Sequence, residues 1–135
     1  MSVRREAQLR EIDVGRWDGL AFEEVVRLYP REHVERERDL IGYPFPGGES
    51  FRDLQKRVVP AFLRIVDGAD GNILVVGHKG VNRVLLAHVL GLPLRELFSI
   101  RQQHCGVNII RASVLPDGSR RMLVGQPINL VQTIG

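Results

Sequence analysis

The 135 residues include 44% hydrophobic and 26% charged side chains, the proportions of one compact globular domain rather than of a disordered or fibrous protein. The single cysteine, Cys105, excludes a disulfide framework and a zinc site built from thiolates, so we expect a reducing, cytoplasmic environment and no metal or other cofactor. The N-terminal residues lack a signal-peptide pattern, and no apolar run approaches the roughly 20 residues of a bilayer span. Neither secretion nor a membrane partner is therefore predicted.

The net charge of +3 is unevenly distributed along the chain. Residues 1–67 carry 12 basic and 13 acidic side chains, a balance of −1, whereas residues 68–135 carry 7 and 3, a balance of +4. This excess suits an anionic small molecule bound by the C-terminal half, although a small basic excess is more often a solvated surface. No basic tract with interleaved aromatic residues occurs, so nucleic acid is not an expected partner.

The first predicted helix spans residues 21–29, where apolar residues recur with helical spacing, and Pro30 is expected to end it. The mixed charges of residues 31–40 predict a solvated helix or an irregular segment. His33, within this charged run, is expected to be exposed to solvent.

A loop with two prolines and two glycines at residues 43–50 leads into the second predicted helix. Ser50 is its expected N-cap, and Asp53 three positions later forms a pair like a capping box. The apolar positions that follow keep helical spacing, and Pro60 within them predicts a kink. These positions are Phe51, Leu54, Val58, Phe62 and Ile65.

A strand, a tight loop and a helix are predicted next. The apolar run at residues 73–76 predicts a strand buried on both faces, and Gly-His-Lys-Gly follows at residues 77–80. An apolar stripe that begins at Val81 predicts a helix ended by Gly91 and Pro93.

The C-terminal part is predicted to form a short helical turn and a hairpin. The turn covers residues 94–98. Strands at about residues 107–114 and 121–125 flank the turn signal Pro-Asp-Gly at residues 116–118, which predicts that they pair antiparallel.

His78 is the first candidate functional residue, because it follows a predicted strand and precedes a predicted helix. Ligands of α/β proteins bind at such strand ends, where the helix presents free amides to anions. Imidazole can donate to a phosphate oxygen or move a proton near neutral pH, and Lys79 and Arg83 add positive charge nearby. A histidine that only bonds the backbone is an equally good interpretation of its position.

The other candidates have weaker support. His88 lies on an apolar helical stripe, which favours a core histidine, and His104 beside Cys105 favours a buried cysteine over a nucleophile with its base. Glu11 lies in a stretch that predicts a structured loop, and from the residues alone a surface carboxylate is the more frequent case than a general acid. The sequence shows no metal-ligand spacing, phosphate-binding glycine loop or nucleophile elbow.

Three stretches occur in a distinctive order: Leu-Arg-Glu-Ile-Asp-Val-Gly-Arg-Trp-Asp-Gly at residues 9–19, Pro-Gly-Gly-Glu-Ser at residues 46–50, and Val-Val-Gly-His-Lys-Gly-Val-Asn-Arg at residues 75–83. Together they resemble the histidine phosphatase superfamily, in the branch of cofactor-dependent phosphoglycerate mutase-like and α-ribazole phosphatase-like proteins. The resemblance extends over about residues 9–130, nearly the whole chain.

The resemblance implies an α/β fold, a three-layer phosphoglycerate mutase-like sandwich, and phosphomonoester chemistry without a metal. In the family, a histidine of an Arg-His-Gly motif on the first strand attacks phosphorus, two arginines and a second histidine hold the phosphoryl oxygens, and a glutamate protonates the leaving oxygen. By motif, the second histidine resembles His78 and the acid resembles Glu11. Lys79, where the family commonly has glycine, and Arg83 are the candidate substrate-binding residues.

The sequence also lacks two family features. No Arg-His-Gly occurs in it, and the segment that brings the second phosphate-binding arginine is not found either. We therefore expect residues 1–135 to be a single histidine phosphatase-like domain that is incomplete at its N-terminus, through natural loss, truncation or a misassigned start.

Two functions from different classes follow from the resemblance. The leading one is a phosphomonoester hydrolase that is impaired or inactive as this chain alone, because the nucleophilic histidine is missing. The alternative is a non-catalytic phosphate-binding or interaction module. The expected partners are a small phosphorylated molecule or phosphate, and either a homo-oligomer or a complementing chain that covers the unpaired edge of the strand at residues 73–76.

Overall fold

The computed structural model describes residues 2–125. Within that range the chain forms four α-helices and one β-hairpin, joined by loops that include short 3₁₀ turns at Ala7–Leu9, Gly15–Trp17 and Leu94–Ser99. The helices and strands are α1 (Phe22–Leu28), α2 (Pro30–Arg38), α3 (Phe51–Asp67), α4 (Lys79–Leu90), β1 (Ile110–Val114) and β2 (Arg120–Val124).

The first two helices follow one another almost without a loop. Pro30 ends α1 as predicted and also begins α2, because proline at the first helical position lacks only an amide that would have no helical partner. The prediction that His33 is solvated is wrong. Its side chain is 16% exposed, its ring packs edge-on against Phe22, and its Nε2 lies 3.4 Å from a Glu37 carboxylate oxygen.

Helix α3 begins with the predicted capping box. The Asp53 amide donates to Ser50 Oγ at 3.1 Å, and the Ser50 amide donates to the Asp53 carboxylate at 2.9 Å. The helix runs through Pro60 without interruption. Its apolar stripe faces the core, where Leu54 and Val58 are completely buried.

Helix α4 packs against α3 and completes the core. Val81 and Val84 are fully buried, Leu97 of the following 3₁₀ turn covers them, and Gly91 ends the helix in the left-handed conformation with φ 67°. The prediction of a core histidine at position 88 is wrong, because His88 lies in the last turn on the exposed side of the helix. A basic group there suits the negative end of the helix dipole.

The predicted hairpin is present. β1 and β2 pair antiparallel with Ile110 opposite Val124, and Gly118 takes φ 81° in the turn between them. Residues 73–76 form no strand with another residue of the described range. The expectation of burial on both faces is therefore wrong, since Leu74 is 76% exposed and Val76 87% exposed.

Among residues 2–125, no helix combines the length and the apolar character needed to cross a bilayer.

Candidate active site

An open groove of about 1400 Å³ is bordered by residues 71–79 and 102–112. Apolar side chains of α3 and α4, including Phe62 and Leu85, line part of it. The polar lining includes four side chains from the stretches that resemble the family motifs, namely Glu11, His78, Lys79 and Asn82. The fold thus brings one loop and one helix start together at a single concave surface.

His78 is the N-cap of α4. Its backbone is extended, with φ −118° and ψ 164°, and its carbonyl accepts from the Asn82 amide at 2.8 Å. The imidazole is exposed at the groove and makes no capping hydrogen bond. Lys79 follows at the first helical position, also exposed. Both side chains can therefore approach an anion at the positive end of the helix.

Glu11 reaches the same helix start from a position 69 residues away in the sequence. One carboxylate oxygen, Oε2, accepts from the Gly80 amide at 3.0 Å, and the other accepts from the Ile12 amide at 2.9 Å. Gly80 allows this approach, because a Cβ added there would lie 2.5 Å from Glu11 Oε1. The carboxylate of the candidate acid therefore contacts the first turn of α4, the helix that His78 caps.

Arg83 is not brought together with these residues. Its Nε donates to the Ile100 carbonyl at 3.0 Å, and its guanidinium carbon lies 5.5 Å from the centre of the Phe98 ring. It does not line the groove, whereas its neighbour Asn82 does. Sequence reasoning missed Asn82, although its position four residues after His78 places it on the same helical face.

The sequence pair His104 and Cys105 also borders the groove. The prediction of a buried cysteine is wrong, because both residues are exposed on a tight turn in which the Gly106 amide donates to the Gln103 carbonyl at 3.2 Å. Cys105 has φ 56° in this turn.

Two further residues support the Glu11 loop, and sequence reasoning did not single them out. Arg57 of α3 donates to the Glu11 carbonyl at 3.1 Å and forms an ion pair with Glu49, with 2.6 Å between Nε and Oε1. The hydrogen bond from Arg57 holds the pKa of Glu49 below its ordinary value. Glu49 lies in the Pro-Gly-Gly-Glu-Ser stretch, but no pattern in the sequence points to Arg57.

Comparison with known proteins identifies the family. A family model described as "Histidine phosphatase superfamily (branch 1)" matches residues 1–115. The chain belongs to this superfamily. It is 37% identical over 89 residues to a 6-phosphofructo-2-kinase/fructose-2,6-bisphosphatase of Caenorhabditis elegans, an alignment that covers 66% of this chain and 19% of that protein.

Solved structures show the phosphoglycerate mutase-like fold that the resemblance implied. Bacillus stearothermophilus YhfR is 29% identical, with a TM-score of 0.73 and coverage of 89% of this chain and 59% of that one. A mycobacterial glucosyl-3-phosphoglycerate phosphatase in complex with inorganic phosphate is 22% identical, with a TM-score of 0.73 and coverage of 93% and 64%. The chain thus spans about three fifths of these structures and about a fifth of the curated relative.

Proposed function

We propose that this chain is a cytoplasmic protein that forms part of a phosphomonoester hydrolase site and binds the phosphoryl group of a small phosphorylated molecule. One observation carries the proposal. The Glu11 carboxylate is bonded to the Gly80 amide, which places an acid beside an exposed histidine at a helix start. An anion-binding helix terminus, an imidazole and a carboxylic acid are the groups that a phosphate ester needs for binding and for protonation of its leaving oxygen.

Each residue has a distinct proposed role. His78 donates a hydrogen bond to a phosphoryl oxygen, and the ammonium of Lys79 adds charge at the same end of α4. In a site completed by a nucleophile, Glu11 would give its proton to the leaving oxygen as the bond from that oxygen to phosphorus breaks and the bond from the nucleophile to phosphorus forms. Arg83 is engaged with the Ile100 carbonyl, so it contributes mainly through its charge in this arrangement.

The nucleophile is not among the assigned groups. The sequence contains no Arg-His-Gly, the motif that the family resemblance associates with attack on phosphorus. We therefore propose that this chain alone is impaired or inactive as a hydrolase, since a site without its covalent nucleophile retains only binding and charge stabilisation. The second candidate is a non-catalytic phosphate-binding module. The exposed side chains of His78 and Lys79 support this function as well as they support an impaired hydrolase.

Phosphate binding and p-nitrophenyl phosphate turnover, measured on the same preparation, test the proposed phosphate site and the proposed lack of catalysis. We expect phosphate or vanadate to bind and turnover to be negligible. His78→Ala should abolish binding, and His88→Ala is the matched control, because it removes an exposed histidine from the opposite end of the same helix. Robust turnover that is lost in His78→Ala would contradict the proposal of an impaired enzyme, and unchanged binding in that variant would remove His78 from the site.

We also propose that a further strand pairs with residues 73–76, supplied by a second copy or by a chain that carries Arg-His-Gly. Within residues 2–125, these amides donate to no other backbone group, and Leu74 and Val76 are largely exposed. Unpaired strand edges recruit other strands. Light scattering at micromolar concentration tests the proposal, and a folded monomer that persists on dilution would contradict it.

A further inference from the structure

The guanidinium of Arg57 occupies an unusual position among backbone carbonyls. It projects from α3 and donates to the carbonyls of Gln8 at 2.6 Å, Arg10 at 3.0 Å and Glu11 at 3.1 Å. Two further hydrogen bonds join it to Glu49, at 2.6 Å from Nε to Oε1 and 2.8 Å from Nη2 to Oε2. One side chain therefore connects α3 with the whole segment that precedes and includes Glu11.

The bonding pattern requires arginine. A guanidinium presents five donors in a rigid planar fork, whereas an ammonium is a compact charge with no such spread. The Arg57 side chain is 12% exposed and that of Glu49 is 17% exposed, so the pair is largely shielded from water. Loss of the guanidinium would leave the carbonyls of Gln8, Arg10 and Glu11 without the hydrogen bonds that Arg57 donates to them.

Glu49 ties the same loop a second time. Its backbone amide donates to the Asp13 carbonyl at 2.8 Å, and its Oε2 accepts from the Asp13 amide at 3.0 Å. The Arg16 amide donates to the Pro46 carbonyl at 2.8 Å on the far side of this contact. The segment is thus held on both sides of Glu11.

Glu11 is consequently anchored at two ends. Its backbone carbonyl bonds Arg57 of α3, while its carboxylate bonds the Gly80 amide of α4. A glutamate side chain has three rotatable bonds and loses conformational freedom when it is held. Fixing the backbone of Glu11 reduces the space that its carboxylate can sample.

We infer that Arg57, paired with Glu49, is a positioning residue that holds the Glu11 carboxylate at the start of α4. The functional purpose of this positioning rests on the proposed acid role of Glu11. The dependence of the contact between Glu11 and Gly80 on the contact between Arg57 and Glu11 does not rest on that role. Within residues 2–125, Arg57 donates a hydrogen bond to no groove residue other than Glu11, so its hydrogen bonds reach the site only through that residue.

Amide hydrogen exchange of the ligand-free protein, followed by NMR, tests this dependence at Gly80. Glu11→Ala sets the reference, because it removes the acceptor directly; we expect Gly80 to exchange about 10- to 100-fold faster, the scale of a lost hydrogen bond to a charged group. Arg57→Met should accelerate Gly80 by a similar factor, and Arg57→Lys by a smaller one. Arg64→Met, an exposed arginine on the same helix, should leave Gly80 unchanged.

Interior amides of α3 and α4, such as those of Val58 and Leu85, report global opening in the same spectra. The inference is overturned if Gly80 keeps its protection in Arg57→Met, or if Gly80 and the interior amides accelerate by one common factor. Should Arg57→Met fail to fold, Glu49→Gln weakens the pair while retaining its shape and is held to the same two outcomes. Phosphate is absent throughout, so failure of phosphate binding would refute the proposed function without affecting this result.

Discussion

Two glycines at the Glu11 loop should lose stability to different extents on the same substitution, alanine. Gly80 lies in the first turn of α4, where a Cβ would lie 2.5 Å from a Glu11 carboxylate oxygen. Gly15 has φ 54°, and a Cβ there would lie 2.7 Å from both Gly47 C and Gly48 N. The first obstacle is the end of a flexible side chain and the second is backbone.

The magnitudes follow from these obstacles. In Gly80→Ala, helix propensity favours alanine by about 1 kcal/mol, which offsets part of the roughly 1.5–3 kcal/mol of a lost charge-assisted hydrogen bond. The expected loss of unfolding free energy is therefore about 0.5–2 kcal/mol. In Gly15→Ala, left-handed backbone costs about 1–3 kcal/mol and overpacking costs about 1–3 kcal/mol, for a total of about 2–6 kcal/mol.

Urea unfolding followed by circular dichroism measures both free energies, and NMR shows where the Glu11 carboxylate goes. We expect Gly80→Ala to stay folded and to lose the contact between Glu11 and residue 80, whereas Gly15→Ala loses more stability. An equal or larger loss in Gly80→Ala would refute the reasoning, because it would mean that the added methyl group meets something that cannot move.

Three further predictions concern the supporting structure. The pKa of Glu49 is lowered from its ordinary 4.5 by Arg57, so the pair stabilises the fold above that pH and the stabilisation is lost as pH falls below it; the Tm of Glu49→Gln should depend less steeply on pH between about 5 and 3 than that of the unaltered protein. Ser50→Ala removes the α3 cap and should cost about 1 kcal/mol in urea unfolding. Leu54→Ala, at a fully buried position, should cost about 2–5 kcal/mol in the same assay, and a smaller loss would mean that the core collapses around the cavity.

Local signals predicted the elements whose causes are local. The Ser50 and Asp53 cap, the stop at Gly91 and the turn at Gly118 each depend on a few neighbouring residues, and the structure contains all three. Pro30 shows the limit of such signals, since the same residue ends α1 and begins α2. A proline that cannot continue one helix can therefore occupy the first position of the next helix.

Burial was harder to predict, because it depends on which elements meet. The spacing of His88 matched the apolar stripe of α4. However, α3 and the following 3₁₀ turn cover a part of the α4 surface that does not include His88. The wholly apolar run at residues 73–76 predicted cover on two faces, and the described residues do not provide it. Cys105 was predicted to be buried because free cysteines usually are, but its tight turn leaves it exposed.

The candidate site could be found only in part. Glu11 and Gly80 are 69 residues apart, so no periodicity relates them, and the association of Glu11 with His78 came from the family resemblance. That resemblance concerns groups proposed to meet a substrate. It says nothing of Arg57, which contacts carbonyls, and a carbonyl acceptor leaves no trace in the identity of the residue that carries it.

The placement of the Glu11 anchors on α3 and α4 would have a physical advantage for the proton donor that we propose Glu11 to be. These two helices share the core of the described structure, with Leu54 and Val58 of α3 buried in the same cluster as Val81 of α4. Packed helices move little relative to one another, because cores are close-packed and resist small displacements. A carboxylate held between two such helices stays at a constant distance from the histidine that caps one of them, even though the carboxylate belongs to a loop. Proton transfer requires approach within hydrogen-bond distance, so this arrangement gives an irregular segment the precision of the helices that hold it.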